Sequence, residues 1–368
     1  MEVLEIVDQG LDFKGYIAID SLVEGMSFGG FRFHPSVSRQ QVVYLARCMT
    51  WKLAGHGLPV GGAKGGICVD PQNPNILKIL ETFAEQASSV LKSKTILGKD
   101  VGATDAFIDH MYKHISIPQM HIVKAKYGNA VPNRLREMRG YQKHMTGLGV
   151  SWAANSILHG NMNGRTFVIQ GSGAVGIGTA YRVIQMGAKV IGISDVNKSI
   201  SNREGIPFDQ LVNAAQGGNL VTQKLKCSYK EASPSELFSV EADVVVLAAT
   251  SHSVTVEMAD SIESPVVIEG ANFGLAPEAR SKLRQRGVVV VPDIIASSSS
   301  AAMVAHQMAL GNALSEEELW KKIQQSIQRS VQGSAEISKV ENIDLREAYI
   351  RMYTPQYLEA VGPVTLSF

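Results

Sequence analysis

Apolar residues in this chain follow two rhythms. From Ser38, the stretch SRQQVVYLARCMTWKLAGHG repeats Val42, Leu45, Ala46, Met49 and Leu53 at helical spacing, with Ser38 as a candidate N-cap. Lys52 follows Met49 by three positions and so falls near the apolar face, an odd place for a purely solvating lysine. Ahead of this helix, KGYIAID and MSFGGFRFH are predicted as strands, the second broken by Gly29 and Gly30. A second pattern starts near residue 146. TGLGVSWAANSIL reads as a helix, and GRTFVIQGSGAVGIGTAYRVIQMGAKVIGISD as strand, glycine turn, helix, strand. ADVVVLAAT, SPVVIEGA and GVVVVPD continue as Val-rich strands of the kind that suits a parallel sheet covered on both faces. Two polar amphipathic segments lead to the end.

Composition bounds the class. The chain has 368 residues, 45% hydrophobic and 19% charged, which suits a globular protein of two domains. Its 35 basic and 34 acidic residues nearly cancel, and no basic stripe points to nucleic acid or an anionic membrane. Three cysteines, Cys48, Cys68 and Cys227, with no C-x-x-C and no clustered histidines, argue against a disulfide framework or a metal site. The acidic start MEVLEIVDQGLDF lacks the blocks of a signal peptide, and no apolar run nears the roughly 18 residues of a membrane helix. A soluble, cytoplasmic protein is the expectation.

The stretch GLPVGGAKGGICVDP fences Lys64 between glycine pairs. A phosphate-binding P-loop would need a hydroxyl residue after the lysine, where Gly65 stands instead. The remaining reading is that Lys64 meets a small substrate closely and the glycines clear the approach.

Gly171, Gly173 and Gly176 form G-x-G-x-x-G directly after the strand TFVIQ and before a helical stretch. In that setting the glycines permit a tight turn, the approach of a pyrophosphate and close helix packing. The helix N-terminus supplies unpaired N–H groups for the phosphates. Asp195 ends the next strand, where an acid accepts hydrogen bonds from ribose hydroxyls and repels a 2′-phosphate, favouring NAD over NADP. A loop-capping role for Asp195 is the bland alternative.

Taken together, GGFRFHPSV (29–37), MTWK (49–52), GLPVGGAKGGICVDP (57–71), KDVGATD (99–105), TGLGV (146–150), GSGAVG (171–176), EGAN (269–272) and PDIIA (292–296) resemble the glutamate/leucine/phenylalanine/valine dehydrogenases, in that family's order. The short N-terminus lies nearer the leucine-type branch. The resemblance implies an α/β fold. A substrate and oligomerisation domain over 1–143, with a C-terminal return over 332–368, would accompany a doubly wound, Rossmann-type NAD domain over 144–331. A cleft between them and a homo-oligomer are also implied.

The reaction implied is oxidative deamination: an amino acid, NAD⁺ and water give a 2-oxo acid, ammonia and NADH. By matching motifs, Lys52 would bind the α-carboxylate and Lys64 would be the general base that helps water attack an iminium. Asp100 would shuttle protons at the amine. A lysine ordinarily titrates near about 10.4, and burial with Lys52 as a second cation would make Lys64 a better base. Gly29 and Gly30 would also touch substrate. Ser172, Ala174, Val175, Thr146, Ala249 and Asn272 would join the three fingerprint glycines and Asp195 at the cofactor. Arg32 and His34 read as structural hydrogen-bond partners.

The side-chain pocket is expected to be apolar. The glutamate branch carries a lysine where this chain has Phe28, and a hydroxyl where it has Val304, so a second substrate carboxylate would be buried unpaired. Two departures stand out. Ser297–Ser300 replace the family's asparagine, small residue and two glycines, and Ala174 replaces the usual asparagine of the dinucleotide loop. The serines either cap a helix beside the cofactor, meet a polar substrate group, or weaken catalysis. A glutamate or other polar amino acid is therefore the alternative substrate. An oligomer that binds cofactor with little turnover is the alternative of another class.

Overall fold

A partly exposed edge strand, EVLEIVD, pairs antiparallel with a mostly buried one, FKGYIAI, at the start of the chain, forming β1 (Glu2–Asp8) and β2 (Phe13–Ile19). This is a computed structural model, and the structure describes residues 1–128, 145–310 and 314–361. After β2 come β3 (Ser27–Phe33), α1 (Arg39–Ala54), β4 (Gly61–Cys68), α2 (Ile76–Gln86), α3 (Ser88–Ser93), β5 (Thr95–Lys99), α4 (Asp105–His114) and α5 (His121–Tyr127). One five-stranded sheet results, ordered β1-β2-β4-β3-β5, with β3 parallel to both β4 and β5.

One face of this sheet carries the main core, where Phe31, Phe33, Ile67, Leu97, Phe83 and Tyr112 are buried. The other is covered by α1 and the turn that leads into it, through Val37, Val42 and Ala46 against Tyr16 and Ala18. The Ser38 hydroxyl accepts the Gln41 N–H at 3.2 Å, so the expected N-cap is real. Strand β3 is continuous rather than broken. The glycine pair interrupts only its ladder with β4, which is paired at Ser27–Phe28 and again at Phe31–Phe33, whereas pairing with β5 runs through both glycines.

The second half opens with α6 (Met145–Ile157), β6 (Thr166–Gln170), α7 (Ala174–Gln185), β7 (Lys189–Ser194), β8 (Ser199–Ser201) and α8 (Phe208–Ala214). A small hairpin, β9 (Ala215–Gln216) and β10 (Asn219–Leu220), precedes β11 (Lys230–Ala232), β12 (Val244–Leu247), α9 (Val256–Asp260), β13 (Val266–Glu269), α10 (Pro277–Gln285) and β14 (Val289–Val291). The seven-stranded sheet is ordered β11-β8-β7-β6-β12-β13-β14, with the five strands from β7 to β14 parallel. These five are the Val-rich strands predicted from the sequence. The short antiparallel edge of β8 and β11 lacked any such signal. The chain closes with α11 (Asp293–Ala296), α12 (Ser299–Leu310), α13 (Glu316–Glu341) and α14 (Leu345–Val361).

Two compact units emerge. The first gathers Met1–Arg136, Ala301–Trp320 and Tyr353–Phe368, and the second Glu137–Ser300 and Lys321–Met352. These divisions differ from limits at 143 and 331. The changes of unit in the C-terminal part fall inside α12, α13 and α14, where continuous helical patterning leaves no mark in the sequence. Among the described residues no helix is long and apolar enough to cross a membrane.

Candidate active site

The glycine-fenced lysine sits on a strand. Side chains alternate along β4, and the register of Phe28 with Gly62 and of Phe31 with Gly65 sets Lys64 beside Gly30 of β3. A Cβ on Gly62 would collide with the backbone N of Thr50 on α1, and one on Gly66 would lie 3.0 Å from Val37. On Gly65 it would strike the Phe31 ring, and on Gly61 the carbonyl of Ser21. The four glycines of the fence therefore admit neighbouring protein: α1 on one face, the aromatic core on the other. This corrects the reading that they clear a path for substrate.

Gly30 is the glycine that leaves room at the lysine. A Cβ there would lie 2.8 Å from Asp100 Cβ and 3.1 Å from Lys64 Nζ. Just past β5, Asp100 places Oδ2 2.6 Å from Lys64 Nζ and 3.2 Å from Arg32 Nε. Burial opposes ionisation of this carboxyl. The Lys64 ammonium, the Arg32 guanidinium and the Val101 N–H outweigh that, and together hold Asp100 well below the usual carboxylate range. The Lys64 ammonium thus has a carboxylate within hydrogen-bond distance.

Lys52 is buried at 6% exposure on α1, three residues from buried Met49, as its spacing implied. Arg32 belongs to the Asp100 cluster. His34 Nδ1 pairs with Ser36 Oγ at 2.7 Å and accepts the Ser36 N–H, a local turn. Phe28 is buried on β3, two residues from Gly30 and on the same face. Gly29 points the other way, and its Cβ would collide with the carbonyl of Ala63. Val304 lies half-buried on the part of α12 that belongs to this same unit. A residue that sequence reading missed, Gln119, donates from Nε2 to the Leu97 carbonyl at 2.7 Å beside Phe28 and Gly98. No motif marked it, since it sits in an irregular stretch between α4 and α5.

In the second unit the glycine turn follows β6, and β12 lies next to it in the sheet, so the turn occupies the point where strand order reverses. Open parallel sheets bind ligands there. Gly171 has φ of 101° and a Cβ would approach the Ala248 carbonyl to 2.6 Å, bringing Ala248 and Ala249 alongside. Gly176 packs on Gly171, while a Cβ on Gly173 would meet nothing within 4 Å. Gly173 caps α7 without a side-chain hydrogen bond. The open cradle and the uncapped N–H groups of Ala174, Val175 and Gly176 fit a pyrophosphate. Asn272 follows β13, and Thr146, near the start of α6, reaches Ser300 Oγ at 3.4 Å.

Asp195 has more work than expected. Oδ1 accepts the N–H groups of Asn197 and Lys198 at 2.7 and 2.8 Å, and Oδ2 accepts that of Leu220 at 2.6 Å. At the other end of the same hairpin, Ser172 Oγ donates to the Gly218 carbonyl at 2.6 Å. The carboxylate holds loops together, as the bland alternative had it, and retains acceptor capacity chiefly on Oδ2.

The serine run is also committed to main chain. Ser297 and Ser298 hydroxyls donate back to Asp293 and Ile295 carbonyls at 2.8 and 2.7 Å, and Ser299 donates to Met145 at 2.6 Å. Gly149 makes room for Ser299, since a Cβ there would collide with its Oγ. The three hydroxyls brace α6 and α11. Nearby, Glu269 at the end of β13 pairs with Arg280 at 2.5 Å, and buried Asp293 pairs with Arg346, whose guanidinium stacks 5.0 Å from the Phe273 ring. Sequence reading passed over this network because its members are far apart in the chain.

Comparison with known proteins covers both units. The family model for glutamate/leucine/phenylalanine/valine dehydrogenase matches residues 140–359, and that for the dimerisation domain of the same dehydrogenases matches residues 5–117. NAD-specific glutamate dehydrogenase of Staphylococcus aureus is 30% identical over 351 residues, 92% of this chain and 83% of that protein. Among solved structures, the hetero-hexameric glutamate dehydrogenase of Thermus thermophilus in its leucine-bound form is similar at a TM-score of 0.79 and 25% identity, covering 99% of this chain and 90% of that one. L-tryptophan dehydrogenase of Nostoc punctiforme shares the fold at a TM-score of 0.68 and 20% identity, covering 97% and 96%.

Proposed function

The chain belongs to the glutamate/leucine/phenylalanine/valine dehydrogenase family, and from that premise we propose that it oxidatively deaminates an L-amino acid with an apolar side chain. The products are a 2-oxo acid, ammonia, NADH and a proton, and the reaction runs reversibly. The observation that carries this reading is the pairing of buried Lys64 with half-buried Asp100 over Gly30, two residues along β3 from apolar Phe28.

Each residue then has a task. Lys52 holds the α-carboxylate as a buried point charge. Lys64 first passes its ammonium proton to Asp100, which delivers it to the substrate nitrogen that leaves as ammonia, and the neutral Lys64 amine then draws a proton from the water that attacks the iminium carbon. Their 2.6 Å hydrogen bond lets the proton pass between them, so one pair serves both halves of the reaction. Arg32 steadies the Asp100 carboxylate from the side. NAD, when bound, supplies the carbon that accepts the substrate hydride. The cradle of Gly171, Gly173 and Gly176 would hold its pyrophosphate, with Ser172, Ala174 and Val175 around it. The negative charge of Asp195 disfavours a 2′-phosphate.

Phe28 and Val304 give the substrate side chain apolar company. Glutamate's second carboxylate would lose several kcal/mol there for want of a cation. The names of the Staphylococcus and Thermus relatives favour glutamate as a second reading. The match of residues 5–117 to a dimerisation domain supports a homo-oligomer. Initial rates of NADH formation with leucine, valine, phenylalanine and glutamate separate the two substrates. Faster turnover of an apolar member supports the proposal, and glutamate as the best substrate contradicts it.

A further inference from the structure

The floor between Phe28 and Gln119 is a glycine. Gly98 pairs with Gly30 in the sheet, so its missing side chain would stand on the same face as Phe28 and the Lys64–Asp100 pair. A Cβ on Gly98 would lie 3.6 Å from Phe28 Cε2 and 4.0 Å from Gln119 Nε2, with nothing nearer. Gly98 and Gln119 are both partly exposed, so this gap is open to a ligand. The Gln119 amide is fixed by donation to the Leu97 carbonyl at 2.7 Å. Among the described residues it makes no other hydrogen bond, which leaves one N–H and the Oε1 lone pairs for a guest.

From this geometry we infer that Gln119 is a specificity-determining residue. It favours amino acids whose side chain joins an apolar body to an uncharged hydrogen-bonding group. The inference rests on the dehydrogenase reading, because the reacting carbon is taken to lie at Lys64 and Asp100. The apolar body lies on Gly98 against the edge of the Phe28 ring. The polar group meets the free side of the amide. A neutral amide offers both a donor and an acceptor but cannot offset a buried carboxylate, so a charged tip gains little. The site thereby sorts substrates that Phe28 and Val304 alone would treat as equals.

Matched pairs of nearly equal shape test this: tyrosine against phenylalanine, and asparagine against leucine. The readout is the ratio of kcat/KM within each pair for the wild-type protein, Gln119→Met and Gln119→Ala. A ratio is unaffected by any fraction of variant that fails to fold, since both members lose equally. The expected result is a fall of about tenfold in the polar-to-apolar ratio of at least one pair in both variants. Unchanged ratios in both pairs, with turnover otherwise measurable, overturn the role of Gln119 and leave the dehydrogenase reading standing. No turnover of any member by the wild-type protein overturns that reading, and this inference with it.

Discussion

Asp100 Oδ2 stands 2.6 Å from Lys64 Nζ, and the two meet over Gly30, whose missing side chain is what lets them meet. Gly30→Ala would put a methyl 2.8 Å from Asp100 Cβ and 3.1 Å from Lys64 Nζ. The pair would be pushed out of line. Turnover is expected to fall about a hundredfold, the scale of a misplacement near 1 Å. NADH binding, followed by fluorescence, should stay within about twofold because the glycine cradle lies in the other unit. Equal losses in both would show that the substitution merely unfolds the protein.

Asp100 also makes stability depend on acid. Its folded carboxyl is held below the ordinary value by Lys64 and Arg32, against the opposing effect of burial. The stabilisation is therefore full above the unfolded value of about 3.9 and fades as pH falls below it. Asp100→Asn should lower stability at neutral pH by about 3 kcal/mol, by leaving a buried ammonium without its counter-charge. It should also flatten the loss below pH 4. Urea unfolding of both proteins from pH 6 to pH 2.5 checks the two effects together.

Much of this architecture could be read from the chain. The five Val-rich segments became the parallel strands, and the fingerprint glycines landed at the strand-order reversal because their spacing encodes backbone geometry directly. The role of the glycines around Lys64 could not be read. Whether a missing Cβ makes room for a ligand, a helix or a ring depends on what the fold brings across from it. Here that is Thr50, Val37 and Phe31. The attachment of Asp195 to Leu220 was hidden for the same reason, since it joins residues 25 apart through a hairpin with no hydrophobic signature.

That attachment has a measurable consequence. Asp195→Ala leaves the buried N–H of Leu220 without its acceptor, together with those of Asn197 and Lys198. Stability should drop by about 2 kcal/mol. Hydrogen exchange at Leu220 should quicken more than exchange in β6. The preference for NADH over NADPH should narrow, because a negative charge leaves the end of β7. Comparing dissociation constants of the two nucleotides reads the last point.

Phe28 offers a test of the apolar pocket. Phe28→Lys places an ammonium where the glutamate branch carries one. The ratio of kcat/KM for glutamate to that for leucine should rise about tenfold, the scale of a hydrogen bond to a charged group. An unchanged ratio would mean that the substrate side chain lies elsewhere.

Lys64→Ala reaches the central claim most directly. Single-turnover formation of NADH is to be followed with the best amino acid found, alongside NADH affinity. The chemical step should fall about a thousandfold, the range of a positioned general base, with NADH affinity nearly unchanged. A variant that forms NADH at close to the wild-type rate would contradict the claim, and the Lys64–Asp100 pair would then be a structural ion pair beneath a site built from other residues.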